Sequence, residues 1–246
     1  MFNKEEIITN FSRSAGSYDQ HAILQKEMGE HLLRSIVSIS PIRVLDIGCG
    51  TGYLTAKLAK RYPRAEVIGI DIAPGMIETA KAKNKADNLR FAIGDGEGLP
   101  FEDRSFDLII SNAALQWMDA GKAFAEAGRL LSANSQYFFS TFGPLTLREL
   151  KASGFRVNKF QAADCLKELL KERFQHGEVV SRVVEQKFRS VKELVFHLKE
   201  LGAQSVGRVS RGNENPLKAI RQYKERFSER GLISVTYEVI VGKYST

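Results

Sequence analysis

Cysteine is scarce in this chain: Cys49 and Cys165 are the only two among 246 residues. They lie far apart and without the paired spacing of a zinc site, so a disulfide framework is excluded and a reducing, cytoplasmic compartment is expected. The four histidines, His21, His31, His176 and His197, form no metal-ligand pattern, and no metal is expected. No apolar run approaches the ~18 residues of a membrane span. The opening Met1-Phe2-Asn3-Lys4-Glu5-Glu6 carries early acids where a secretory leader would be apolar, so neither membrane nor export is expected. Internal repeats and low-complexity tracts are also missing. What remains is ordinary globular composition, 43% hydrophobic and 26% charged, in a chain long enough for one domain or one domain with a cap.

Acidic balance is missing from one part only. Residues 1–142 hold 16 Lys/Arg against 17 Asp/Glu, residues 143–230 hold 19 against 11, and residues 231–246 are neutral. A basic second part steers toward an acidic partner, unless its charges only solvate helix faces.

Apolar runs alternate with amphipathic stretches. Residues 18–39 read as a helix from the spacing of Ile23, Leu24, Met28, Leu32, Leu33 and Ile36. Strands are predicted at 42–47, 66–71, 89–93, 106–111 and 136–140, with helices at 53–61, 74–84 and 120–131 between them. Such alternation means βαβ crossovers and a doubly wound, mostly parallel α/β sheet. Beyond 143 the reading is helices near 145–152, 163–173, 191–201 and 216–229, strands at 179–188 and 233–242, and an irregular loop at 202–215.

Asp46-Ile47-Gly48-Cys49-Gly50-Thr51-Gly52 lies between the first strand and its helix. Glycines there let the backbone turn tightly and approach a ligand closely, and the next helix aims its first amides at that ligand. The dinucleotide fingerprint would need a third glycine where Tyr53 stands. Asp71 closes the second strand, where a carboxylate can accept from two ribose hydroxyls, or else cap the next helix. Asp95 follows the third strand, where it can accept from an adenine amino group, or simply serve a turn. All three acids fall at strand carboxyl ends, the place where ligands sit in open α/β sheets.

On these motifs, residues 42–142 resemble the class I S-adenosylmethionine-dependent methyltransferases, whose fold is Rossmann-like. Ser17-Tyr18-Asp19, Leu24-Gln25, Ser111-Asn112, Leu115-Gln116-Trp117, Leu147-Arg148-Glu149-Leu150 and Leu198 to Ala203 extend the likeness nearly end to end. In order and spacing they resemble the malonyl-acyl carrier protein O-methyltransferases of biotin synthesis. The resemblance implies three regions: a helical segment at 1–40 closing over the cofactor, an S-adenosylmethionine-binding core at 41–142, and cap elements with the last two sheet strands at 143–246. It implies cofactor contacts from Tyr18, Asp46, Gly48, Gly50, Gly52, Asp71, Ile72, Met76, Asp95, Gly96, Asn112 and Ala113, and substrate contacts from Gln116 and Trp117. An entering carboxylate also needs a counter-charge, for which Arg148, Arg208 and Arg211 are the candidates. No general base is expected, because a carboxylate acceptor is already ionised. The implied partner is acyl carrier protein carrying malonyl, whose acidity would suit the basic second part.

Three other readings keep or alter parts of this. The acceptor could be a small molecule such as a quinone precursor or free carboxylic acid, or the protein could bind adenosylmethionine without catalysis. A nucleic-acid substrate is not expected, because Asn112 is followed by Ala113-Ala114 and no basic run is interleaved with aromatics.

Overall fold

Strands that are apolar on both faces persist only when helices cover each face of their sheet. The computed structural model describes residues 3–37, 39–174, 176–203 and 215–246. Its elements run α1 (Lys4–Ser14), α2 (Tyr18–His21), α3 (Ile23–Ser35), β1 (Arg43–Ile47), α4 (Tyr53–Arg61), β2 (Glu66–Asp71), α5 (Pro74–Lys83), β3 (Leu89–Ile93) and β4 (Phe106–Asn112). A 3-10 turn at Leu115–Trp117 then leads to α6 (Ala120–Leu130), β5 (Leu131–Phe142), α7 (Arg148–Ala152), α8 (Ala163–Lys171), β6 (His176–Phe188), α9 (Val191–Glu200), α10 (Pro216–Phe227), β7 (Ser228–Glu229) and β8 (Leu232–Ser245).

The sheet order is β3-β2-β1-β4-β5-β8-β6, with β7 against β8. The pairings from β3 through β5 are parallel, and β8 runs antiparallel between β5 and β6. Successive strands step outward one way from β1 and the other way from β4. The crevice at the carboxyl ends of these two strands is therefore the topological switch point. One core layer packs Met28, Leu32, Leu54, Leu58 and Tyr223 on the sheet, and the other packs Phe106, Phe124, Leu130 and Tyr137.

The doubly wound α/β architecture is as expected, with local corrections. The helix expected over 18–39 breaks at Ala22, whose ψ of 41° leaves the helical region, and ends at Ser35. The break turns Asp19 toward Thr51, whose hydroxyl donates to it at 2.7 Å. Ahead of the break, within the helical segment expected at 1–40, stands a separate helix, α1, capped by the Asn3 side chain, which accepts from the Glu5 N–H. β5 starts at Leu131, five residues before the expected 136, because an irregularity between Phe106 and Leu108 lets β4 pair with Leu131 as well. β6 and β8 are longer than the expected 179–188 and 233–242, since they pair with each other along 13 consecutive positions. Of the loop expected at 202–215, residues 204–214, with Arg208 and Arg211, lie outside the described residues.

Gly242 on β8 pairs with Phe139 on β5, and a Cβ added there would stand 2.0 Å from the Phe139 ring. That ring is fully buried in the core, so it has nowhere to go. Gly242→Ala is expected to cost about 1–3 kcal/mol through overpacking. In thermal unfolding this reads as a Tm lower by several degrees, about 2–4 °C per kcal/mol at this size. An unchanged Tm would contradict the packing described for this face.

Candidate functional site

The loop after β1 is shaped by Gly48, Gly50 and Gly52, with φ of 74°, 55° and 80°. Such left-handed turns are cheap only for glycine. The Gly48 and Cys49 N–H groups donate to the Ile70 carbonyl at 2.8 and 2.9 Å, fastening the loop to β2. The Gly50 N–H donates to Asp71 Oδ2 at 2.9 Å, and Asp71 Oδ1 accepts from the Ala73 N–H at 2.9 Å. Burial pushes the Asp71 carboxyl above the usual range, against the pull of these two backbone bonds. Each of its oxygens keeps a further lone pair for a ligand hydroxyl. A Cβ on Gly50 would meet no protein atom within 4 Å, so it would point into open space.

That space is a cleft at the switch point. Gly48, Gly50, Asp71, Ile72, Met76, Asp95, Gly96, Asn112 and Ala113, all anticipated from the sequence, line it. Its roof is the N-terminal segment: Lys4, Ile7 and Phe11 from α1, and Tyr18 from α2. Lys4 Nζ sits 2.6 Å from Asp95 Oδ2 and 2.8 Å from Glu97 Oε2, pinning α1 to the turn after β3. Phe11 meets Trp117 edge-on, with ring centroids 5.3 Å apart. Asn112 is fixed from both ends, donating to the Gln25 carbonyl at 2.9 Å and accepting from Ser140 at 2.7 Å. Ala113 follows with φ of 50°, a strained conformation for a residue with a Cβ, placed at the cleft.

A smaller pocket adjoins the cleft, sharing Tyr18, Gly48, Gly50 and Asn112 with it, and Asp46 and Gln25 line it. Asp46 is 1% exposed and accepts from the Thr55 hydroxyl at 2.7 Å. Burial pushes its carboxyl up to about 7, with the Thr55 bond opposing and the Asp71 charge adding. Gln25 Oε1 is buried with no hydrogen-bond partner. An orphaned carbonyl beside a buried carboxylate suits an ammonium group. Together the two spaces offer acceptors for a diol, for an amino group and for an ammonium. These are the polar groups of S-adenosylmethionine.

A second, wider cavity opens beside the cleft, sharing Lys4, Glu97, Trp117 and Met118 with it. Gln116 lines it and is locked in place: its Nε2 donates to the Ala113 carbonyl at 2.6 Å, and its Oε1 accepts from Thr141 at 3.0 Å.

Two expected site residues stand elsewhere. Gly52 lines neither the cleft nor the adjoining pocket; it starts α4, and a Cβ there would strike Phe91 and Asn84. Arg148 begins α7 after the left-handed Leu147, with its Nε 3.1 Å from Glu149 Oε1, and it lines neither the cleft nor the wider cavity. Lys4 and Asp19 went unread, because long-range side-chain pairs leave no mark on local spacing. Asp19 holds Thr51 of the glycine loop and Lys83 of α5 together, the latter at 2.6 Å.

Two outcomes follow from this geometry. Gly50→Ala is expected to cost only about 1–2 kcal/mol in stability from its backbone conformation, yet to abolish adenosylmethionine binding in calorimetry by filling the cleft. Retained binding would contradict the placement. The Asp46 carboxyl rises from an ordinary value near 4 to about 7 on folding. Between these values the folded chain keeps a proton that the unfolded chain has lost, so stability falls as pH rises from about 4 to 7. Asp46→Asn removes that term. Thermal melts of the cofactor-free proteins should show the variant gaining on the parent across this window; a constant difference would contradict it.

A sequence profile described as a methyltransferase domain matches residues 44–134. Among solved structures, the YcgJ protein of Bacillus subtilis superposes with a TM-score of 0.66 at 18% identity, covering 89% of this chain and 98% of that one. The phosphoethanolamine N-methyltransferase 2 of Haemonchus contortus, in complex with S-adenosyl-L-methionine, gives 0.62 at 16% identity, covering 95% of this chain and 57% of that one. At such identities these two speak for the fold. The malonyl-[acyl-carrier protein] O-methyltransferase of Geobacter sulfurreducens is 33% identical over 98% of both chains. That of Anoxybacillus flavithermus is 36% identical over 98% of this chain and 96% of its own. With the glycine loop, the switch-point cleft and end-to-end similarity in agreement, this chain belongs to the malonyl-[acyl-carrier protein] O-methyltransferase family.

Proposed function

We propose that this chain transfers the methyl group of S-adenosyl-L-methionine to the free carboxylate of a malonyl group on acyl carrier protein, giving the methyl ester that starts pimeloyl synthesis for biotin. The observation that carries the reading is the similarity to relatives of that name over 98% of the chain, cap elements included. The wider cavity opening beside the cleft at Trp117 supports it, because an acyl group there would reach the cleft.

When bound, the cofactor supplies an electrophilic sulfonium methyl. Asp71 would take the ribose hydroxyls, Asp95 with Gly96 the adenine edge between Ile72 and Met76, and Asp46 with Gln25 the methionine ammonium. Tyr18 closes the roof, and Asn112 and Ala113 face the reacting end. Gln116 and Trp117 line the acceptor's path. A carboxylate is ionised at neutral pH, so these residues need only align it with the methyl, at about 3–3.5 Å, and exclude water. In this division of labour, residues 1–40 cover the cofactor, 41–142 hold it, and 143–246 form the cap that meets the carrier.

Lys218, Lys224 and Arg226 on α10, with Lys192 and Lys199 on α9, are exposed cations of the cap. Acyl carrier proteins are acidic, so long-range attraction would raise encounter rates at low salt. Mass spectrometry of malonyl-carrier protein incubated with enzyme and adenosylmethionine should find the methyl ester. Transfer to free small acids and not to the carrier would overturn the reading. Lys218→Glu with Lys224→Glu and Arg226→Glu should raise KM for the carrier substrate about tenfold at low salt. An unchanged KM would remove the docking role from α10.

A further inference from the structure

The wider cavity carries a charge pattern that methyl transfer itself does not use. Its walls are apolar where Leu115, Trp117, Phe142 and Phe160 line it. Lys122, in the first turn of α6, and Lys159, between α7 and α8, are exposed residues of the same lining, so their ammonium groups belong to its mouth. Neither ammonium has an ion-pair partner among the described residues. The two acids of this lining are already engaged. Asp119 Oδ1 accepts from the Lys122 backbone N–H at 3.1 Å, capping α6, and Glu97 is taken by Lys4 and by the Asp119 backbone N–H at 3.0 Å. The mouth thus has two uncommitted cations over an apolar throat that leads to the cleft.

We infer that Lys122 and Lys159 form a subsite for the phosphodiester of the carrier's prosthetic arm. The inference rests on the carrier-bound acyl substrate proposed above and deepens it. A phosphopantetheine arm is an apolar and amide chain with an acyl thioester at one end and a phosphate at the other. If the acyl end lies at Trp117 beside the cleft, the arm fills the throat and the phosphate emerges at the mouth, where the lysines stand. Lysine suits this task as a compact, mobile point charge for phosphate. The subsite would let the enzyme read the arm separately from the carrier's protein surface, which α10 would meet.

Trp117 is the chain's only tryptophan and lines both spaces, so its fluorescence reports occupancy without turnover. Titration with 4′-phosphopantetheine and with pantetheine should show the phosphorylated arm binding about five- to thirtyfold more tightly. In Lys122→Gln with Lys159→Gln that preference should vanish. Equal affinity in the parent, a preference that survives in the variant, or no binding of either arm at millimolar concentration would overturn the subsite. Steady-state rates separate phosphate from carboxylate: the ratio of kcat/KM for malonyl-carrier over malonyl N-acetylcysteamine, which has no phosphate, should fall by the same factor. A fall shared equally by both substrates would assign the lysines to the malonyl carboxylate and overturn the inference. The titration needs no methyl acceptor, so a protein that binds the phosphorylated arm yet methylates no malonyl thioester would refute the proposed reaction and not the subsite.

Discussion

The hydrogen bond from the Gly50 amide to Asp71 is the contact on which the rest of the site depends. It joins the glycine loop to the end of β2, and the second Asp71 oxygen joins both to the start of α5 through Ala73. Burying a carboxylate is costly unless hydrogen bonds or a cation compensate. Here two amides do part of that work. Asp46 lies next to it, buried and held by Thr55, and among the described residues neither acid has a basic partner. Two buried acids under one loop, with hydrogen bonds but no cationic partner among the described residues, make a site that a cationic ligand completes. This accounts for a preference for a sulfonium bearing an ammonium better than shape alone does.

The N-terminal segment is the second constraint. It crosses the cleft with Ile7, Phe11 and Tyr18 and is held, among other contacts, at three separated points: Lys4 on Asp95 and Glu97, Asp19 on Thr51 and Lys83, and Ser17 on Glu200 of α9. All three are polar and partly exposed, of the kind that contributes little individually. The lid is therefore assembled from weak contacts around an aromatic centre, while the floor is built from buried strands. The cofactor cleft and the wider cavity meet along Lys4, Glu97, Trp117 and Met118, so the two halves of the reaction share these side chains.

The core was legible in the sequence because its inner strands β1, β2 and β4 are largely buried and rich in apolar residues, and with the edge strand β3 they fall within one residue of expectation. The glycine loop and the acids at strand ends were legible because close backbone approach and left-handed turns restrict residue type. The lid was only half legible. In α1 the apolar positions Ile7, Ile8 and Phe11 are few among polar neighbours, and Ile7 and Phe11 line the cleft. Of the arginines expected as counter-charge, Arg148 stands in a recognisable motif, but it follows the αL turn at Leu147 with its Nε against Glu149, while Arg208 and Arg211 lie outside the described residues. Lys122 and Lys159 look like any solvated lysines until the fold sets them around one opening. Gly52 shows the converse: a motif glycine that lines neither space, where a Cβ would strike Phe91 and Asn84.

A crystal structure with S-adenosylhomocysteine tests the central claim most directly. The account predicts both ribose hydroxyls within about 2.6–3.2 Å of the Asp71 carboxylate, with the Gly50 and Ala73 amide bonds to it intact and the amino-acid end beside Asp46 and Gln25. A ribose bound elsewhere, leaving Asp71 to the two amides alone, would contradict it.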